Sequence, residues 1–266
     1  MNRLFVFDVD GTLLSELDGE LTKNTVHALN ALLSMGDAIC IASGRSFSGI
    51  HAFLSKLGPG KKYAGIANGS MVKNYEGETL YARYLTVKDL NHFVEKYKGV
   101  DTITIYGYGT DDDVLFYEES YFSDLEVRIN YMKPALLDQS ADPDTKLLKI
   151  MVAASTKEEA ESLYLDEEEA PIYDSTRSGP LFFEVVPKGV SKGDAVEALR
   201  LHLRISKEDV YCFGDSINDV SMISMFHGIA MGNACDQAKA VAEYVTLPCD
   251  QEGVYHALKN ILKFVR

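Results

Sequence analysis

Two carboxylates stand one residue apart at the end of a short apolar run, Leu4-Phe5-Val6-Phe7-Asp8-Val9-Asp10-Gly11-Thr12. The run Leu4–Phe7 has the character of a buried parallel strand. Acids delivered to the carboxyl end of such a strand lie where open α/β sheets place their ligands. Burying two acids this close is costly unless a cation or a proton is shared between them. Gly11 lets the chain turn and Thr12 adds a hydroxyl. An acid in this position also serves as an ordinary turn cap, so the segment alone leaves both readings open.

Three further segments carry side chains suited to the same kind of site. Ser43-Gly44-Arg45 combines a hydroxyl with backbone N–H groups ahead of a helix, which suits an anion; an ordinary N-cap serine is the competing reading. Lys192 opens a helix, where the macrodipole disfavours a cation, so a lysine there suits neutralising a phosphate or a carboxylate; a solvated surface lysine is the competing reading. Lys188, close by, reads as a solvated surface lysine. Gly214-Asp215-Ser216-Ile217-Asn218-Asp219 again delivers an acid at a strand end, with Asp219 four residues later on the same helical face and Asn218 beside it. An all-oxygen set of this kind suits Mg²⁺, which takes one or two protein carboxylates and keeps several waters.

Elements with two textures must position these residues. The first eighty residues alternate strand and helix: strand 4–7, helix 22–35 with Thr22 as N-cap, strand 38–42, helix to about 57, strand 63–67, then the turn signal Asn68-Gly69. That alternation implies a parallel sheet with right-handed crossovers. Residues 82–186 differ. They hold strand patterns at 102–106, 147–153 and 181–186, a hairpin near 107–113, and helical patterns at 90–97, 121–131 and 157–165. The acidic run 166–169 reads as a solvated helix end. From Pro187 the α/β rhythm returns, with helix 190–201, strand 209–213, helix 217–225, strand 228–231 and helix 254–265. The expected fold is therefore a Rossmann-like α/β core of residues 1–81 and 187–266, interrupted by an α+β cap of residues 82–186.

Composition narrows the partners. The chain has 266 residues, 46% of them hydrophobic, and a net charge of −14. An acidic surface repels nucleic-acid backbones and anionic membranes, so neither is expected as a partner. A small anionic substrate remains open where a metal or local positive charge receives it. The four cysteines show no CxxC spacing, and Cys40 and Cys212 lie in apolar strands, which points to core thiols rather than disulfides or zinc. With no signal-peptide pattern and no apolar run near roughly 20 residues, a cytoplasmic location is expected.

Taken together and in order, Asp8-Val9-Asp10-Gly11-Thr12, Ser43-Gly44-Arg45, Lys192 and Gly214-Asp215-x-x-Asn218-Asp219 resemble the four motifs of the haloacid dehalogenase superfamily. The large insert resembles that of its Cof-like, capped sugar-phosphate phosphatases, as do Val185-x-Pro187-Lys188-Gly189-Val190-x-Lys192-Gly193 and Gly232-Asn233-Ala234. The resemblance implies Asp8 as nucleophile and Asp10 as general acid and then base. It implies Mg²⁺ held by Asp8, the Asp10 carbonyl and Asp215. Ser43 and Gly44 would bind phosphoryl oxygens, Lys192 would stabilise charge, and Asn218 would position phosphate or the loop. Thr12 and Asp219 would stand behind these groups. Asp10 separates the reaction classes, because a departing halide needs no proton whereas a departing alcohol does. The implied function is Mg²⁺-dependent hydrolysis of small phosphorylated metabolites, sugar phosphates above all, by a monomer or weak homodimer. A phosphosugar mutase and a non-catalytic metabolite sensor are the rival readings. Arg45 either reaches substrate or braces the loop. The cap tyrosines Tyr106, Tyr108, Tyr117 and Tyr121 read as packing rather than sugar stacking.

Overall fold

The computed structural model describes residues 3–15, 19–177 and 179–265. The chain divides into two compact units, one formed by residues 1–81 and 191–266, the other by residues 82–190. No helix among the described residues is long and apolar enough to cross a membrane.

The first unit is built on an eight-stranded sheet. Its order is Tyr244–Val245, His227–Ala230, Val210–Gly214, Leu4–Phe7, Ala38–Ala42, Lys61–Ile66, Met71–Asn74 and Thr79–Ala82. The first six strands run parallel, and Met71–Asn74 turns back antiparallel to Lys61–Ile66. Leu4–Phe7 lies at the centre because all four residues are apolar and can be buried on both faces. Phe7 stacks on Phe213 of the neighbouring strand with ring centroids 4.7 Å apart. The helix Lys23–Ser34 starts where expected, with the Thr25 N–H donating to the Thr22 hydroxyl at 3.1 Å. It buries Ala28, Leu29, Leu32 and Leu33.

Two helical expectations near the carboxyl terminus change character. The stretch expected as one helix over 217–225 begins as a single 3₁₀ turn, Ile217–Asp219, and continues as the α-helix Val220–Met225. The final helix is α-helical only over Gly253–His256 and widens into a π turn over Ala257–Ile261.

The second unit holds a mostly antiparallel sheet in the order Tyr173–Arg177, Phe182–Pro187, Lys146–Ala154, Ile103–Gly109, Asp113–Phe116 and Lys133–Leu136, with Leu85–Thr86 also paired to Lys146–Ala154. It extends to Val190 because Pro187 still pairs with Tyr173, and the Lys188 N–H donates to the Ile172 carbonyl at 3.1 Å. One apolar cluster gathers Leu90, Phe93, Leu147, Ile150, Val152, Phe183 and Val185. Elsewhere in this unit Tyr106 and Tyr108 are buried, both donating to the Glu126 carboxylate. Tyr117 donates to Asn91 at 2.6 Å. Tyr121 departs from the packing expectation: it is 70% exposed, while its neighbour Phe122 makes an edge contact with Phe182.

The acidic run 166–169 is also corrected. The preceding helix ends at Ser162, so the run is not its end. Asp166 caps the N–H groups of Glu168 and Glu169. Glu169 turns inward, is buried, and meets Lys96 at 2.5 Å and His92 at 2.8 Å. A charge run suggests solvent; the Lys96 ammonium and the His92 ring, both on the helix Val87–Lys96, supply the partners that make burial of this one member tolerable.

Candidate active site

Three strand ends and one helix start of the first unit bring the candidate side chains together. Leu4–Phe7 delivers Asp8, Val210–Gly214 delivers Asp215, and Ala38–Ala42 delivers Ser43. Lys192 is the first residue of the helix Lys192–Leu203, whose N-cap Ser191 accepts from the Asp194 N–H. The Lys192 ammonium donates to Asp8 Oδ1 and to Asp219 Oδ1, each at 2.6 Å. All three side chains are almost wholly buried. Asp219 is fully spent where it stands. Its second oxygen accepts the Asp215 and Ser216 N–H groups, each at 2.9 Å.

This crowding sets the charges. Burial first, and then the Asp219 carboxylate, push Asp8 well above the usual carboxylate range, against the pull of Lys192. Burial and Asp219 likewise push Asp215 up to about 6, although the Thr12 hydroxyl, 3.1 Å from Asp215 Oδ1, opposes the shift. Burial disfavours the Lys192 ammonium, but Asp219 and Asp8 outweigh it and hold Lys192 above its ordinary value. One ammonium among this many carboxylates leaves a surplus of negative charge that a cation would relieve. Asp8, Asp215 and Asp219 each place a carboxylate oxygen within 4.8 Å of the others, so the cluster could hold a metal ion.

The loop around Ser43 is formed differently from a helix cap. The following helix, Phe47–Leu54, is capped by Ser46, whose hydroxyl accepts from the Gly49 N–H at 3.1 Å. Ser43 does not cap that helix; it is buried, with its hydroxyl accepting from the Arg45 N–H at 3.3 Å. Of the two roles the sequence left open for Arg45, the structure displays a bracing contact: its guanidinium grips Asp10 in a bidentate pair at 2.6 and 3.0 Å. Asn218 does not stand alone beside Asp215. Its amide donates to Asn68 Oδ1 at 3.0 Å. Sequence reasoning treated Asn68 only as a turn residue; the signal it missed is that Asn and Gly both accept positive φ beside a functional loop. Asn233 stood in the sequence only as part of the motif Gly232-Asn233-Ala234, and Cys249 had no role there. Asn233 donates to the Gly11 carbonyl at 2.9 Å and accepts from the Cys249 N–H at 2.8 Å, tying down the turn after Asp10.

Gly11 occupies a positive φ of +85°, and a Cβ there would lie 2.3 Å from Asp215 Oδ2. Gly11→Ala should therefore displace Asp215 and strain the turn. The expected result is a fall in kcat/KM of about one hundredfold with a stability loss of about 1–3 kcal/mol. Steady-state rates and a thermal melt check it; a variant with wild-type kinetics would show that the Asp215 position is not critical.

The sequence matches the family model for haloacid dehalogenase-like hydrolases over residues 5–258. It is 31% identical over 273 aligned residues to an HMP-PP phosphatase of Yersinia pseudotuberculosis, covering 98% of this chain and 96% of the relative. It is 28% identical to the putative phosphatase YxeH of Bacillus subtilis, covering 98% and 99% of the two chains. The fold matches a haloacid dehalogenase-like hydrolase from Bacteroides thetaiotaomicron with a TM-score of 0.83 at 25% identity, over 98% of this chain and all of that one. The chain belongs to the haloacid dehalogenase-like hydrolase family. Within that family it is a phosphatase, a phosphoric monoester hydrolase.

Proposed function

We propose that the protein is a Mg²⁺-dependent phosphatase of small phosphorylated metabolites that works through an aspartyl-phosphate on Asp8. The observation that carries this reading is Asp8 at a central strand end, 2.6 Å from a buried lysine and two residues before an acid held by its own arginine. In the first half-reaction an Asp8 oxygen attacks phosphorus, the bond from phosphorus to the ester oxygen breaks, and Asp10 gives its proton to the departing alcohol. In the second, Asp10 as carboxylate takes a proton from water, whose oxygen attacks phosphorus and breaks its bond to Asp8. Arg45 holds both Asp10 oxygens before substrate arrives. For the first half Asp10 must carry a proton, so Arg45 releases at least one of its bonds once substrate is bound.

Asp8, Asp215 and the Asp10 carbonyl are the groups that would hold Mg²⁺, since Asp219 has both oxygens committed to Lys192 and to two N–H groups. The ion, when bound, screens the charge of Asp8 from that of a phosphate dianion. Lys192 neutralises the remaining charge on Asp8 and on the transferring group. Ser43, the Gly44 N–H and Asn218 receive the phosphoryl oxygens, while Thr12 steadies Asp215 and Asp219 steadies Lys192. Residues 82–186 act as the cap that selects the substrate's leaving group. Sugar phosphates head the substrate class because the motifs resemble those of Cof-like phosphatases, and HMP-PP, on which the Yersinia relative's name rests, belongs in the same test.

The test is phosphate release from a panel of phosphorylated metabolites, with and without chelator. Chelation should abolish release and Mg²⁺ restore it. Ca²⁺ should restore it poorly, because its looser coordination allows a bidentate carboxylate and ties up the attacking oxygen. Asp215, raised to about 6, must lose its proton to bind the ion. The Mg²⁺ concentration needed for half activity should therefore fall as pH rises through about 6 and level off above it. Full activity in excess chelator would refute the reading.

A further inference from the structure

We infer that Asn68 is a positioning residue for the phosphoryl-binding loop, holding Ser43-Gly44-Arg45 and Asn218 in one arrangement. The inference rests on the phosphatase reading of this site.

The backbone around Asn68 is unusual. Ala67, Asn68 and Gly69 take positive φ in succession, +49°, +58° and +102°. All three are buried. For an L-residue such as alanine this conformation costs free energy, and it persists only where the surroundings impose it. What the conformation achieves is visible in its hydrogen bonds. The Ala67 N–H donates to the Arg45 carbonyl at 3.1 Å, and the Asn68 N–H donates to the Ser43 carbonyl at 3.0 Å. The two carbonyls flanking Gly44 are thus both engaged by this segment. A carbonyl turned toward a phosphate dianion would repel it, so fastening both of them elsewhere shapes a loop that presents donors to an anion.

The side chain of Asn68 extends the same control in two directions. A Cβ at position 44 would lie 3.3 Å from Asn68 Oδ1, so the amide packs directly on the glycine of the loop. The same oxygen accepts from the Asn218 amide at 3.0 Å. Asn218 Oδ1 is buried and makes no hydrogen bond among the described residues, which leaves Asn68 as the group that orients the Asn218 side chain. The Gly69 position would place a Cβ 2.2 Å from the Ser191 carbonyl, immediately before Lys192. One strained turn therefore touches the Ser43 loop, Asn218 and the start of the Lys192 helix.

The experiment compares Asn68→Gly, Asn218→Ala and the double variant. Glycine tolerates φ of +58°, so Asn68→Gly removes the amide without adding backbone strain. The probe is inorganic phosphate, titrated calorimetrically into Mg²⁺-loaded protein, with kcat/KM measured alongside. Asn68→Gly should weaken phosphate binding and lower kcat/KM by about tenfold each, the loss of the amide hydrogen bond that orients Asn218. The double variant should lose no more than the poorer single variant, because the two amides act as a unit. Losses that multiply, or phosphate binding unchanged with only the melting temperature lowered, would overturn the inference. Phosphate that fails to bind the wild-type protein would overturn it too. Failure of the phosphatase reading itself is read separately, as turnover that survives Asp8→Asn.

Discussion

Lys192→Met should abolish turnover and make the protein's stability fall steeply with rising pH. The ammonium it removes is buried between Asp8 and Asp219. Methionine fills the stem but leaves two carboxylates desolvated and facing each other. Breaking a buried ionic cluster by removing one partner costs about 3–5 kcal/mol, and losing a charge stabiliser at the reacting group costs at least about a thousandfold in rate. The sign of the pH effect follows from Asp8. Its folded-state pKa is already raised by burial and by Asp219, and losing Lys192 raises it further. The folded variant then binds a proton that the unfolded chain releases near the ordinary value of about 4. Stability is greatest below that value and is lost as pH climbs toward the raised one. Thermal melts at pH 5 and pH 8 check this: the gap between variant and wild type should widen at pH 8. A gap independent of pH would mean that the cluster does not carry the stability of the site.

Asp8→Asn should lower phosphate release by about ten-thousandfold or more, since the amide cannot serve as nucleophile. It should also leave the metal-free fold as stable as the wild type or more so. A buried acid that is costly to ionise is replaced by a neutral group of the same shape, while the Lys192–Asp219 pair at 2.6 Å survives. Rates and melts in chelator on the same preparation test both halves. Substantial turnover in this variant would remove Asp8 from the mechanism. A collapse of the fold would mean that Asp8 serves architecture first.

The sequence marked out the α/β core and the acids and lysine that the fold gathers into one cluster, because buried strands ending in acids break the apolar pattern conspicuously. Lys192 meets Asp8 across 184 positions of sequence, and Thr12 meets Asp215 across 203. Other features left no such trace. The antiparallel extension Met71–Asn74 and Thr79–Ala82 was missed, since its residues are short runs of mixed polarity that a loop would equally favour. Glu169 was misread because charge patterning records the run and not the partners that arrive from another helix. Tyr121 was misplaced because helix register, and not residue type, decides whether it or Phe122 faces inward. Arg45 was legible as a basic residue near the site, but its bidentate hold on Asp10 depends on two loops meeting, which no local pattern encodes.

The central strand Leu4–Phe7 pairs on one side with Ala38–Ala42 and on the other with Val210–Gly214. During synthesis the first partner is available early, whereas the second emerges only after the whole of residues 82–190 has been made. A wholly apolar strand thus waits with one edge open while another unit is translated. Long-range pairing of this kind slows folding and exposes an edge to aggregation. The ribosome-bound half-protein is consequently the form most in need of a chaperone, and truncations ending before Val210 should aggregate rather than fold to a half-sized core.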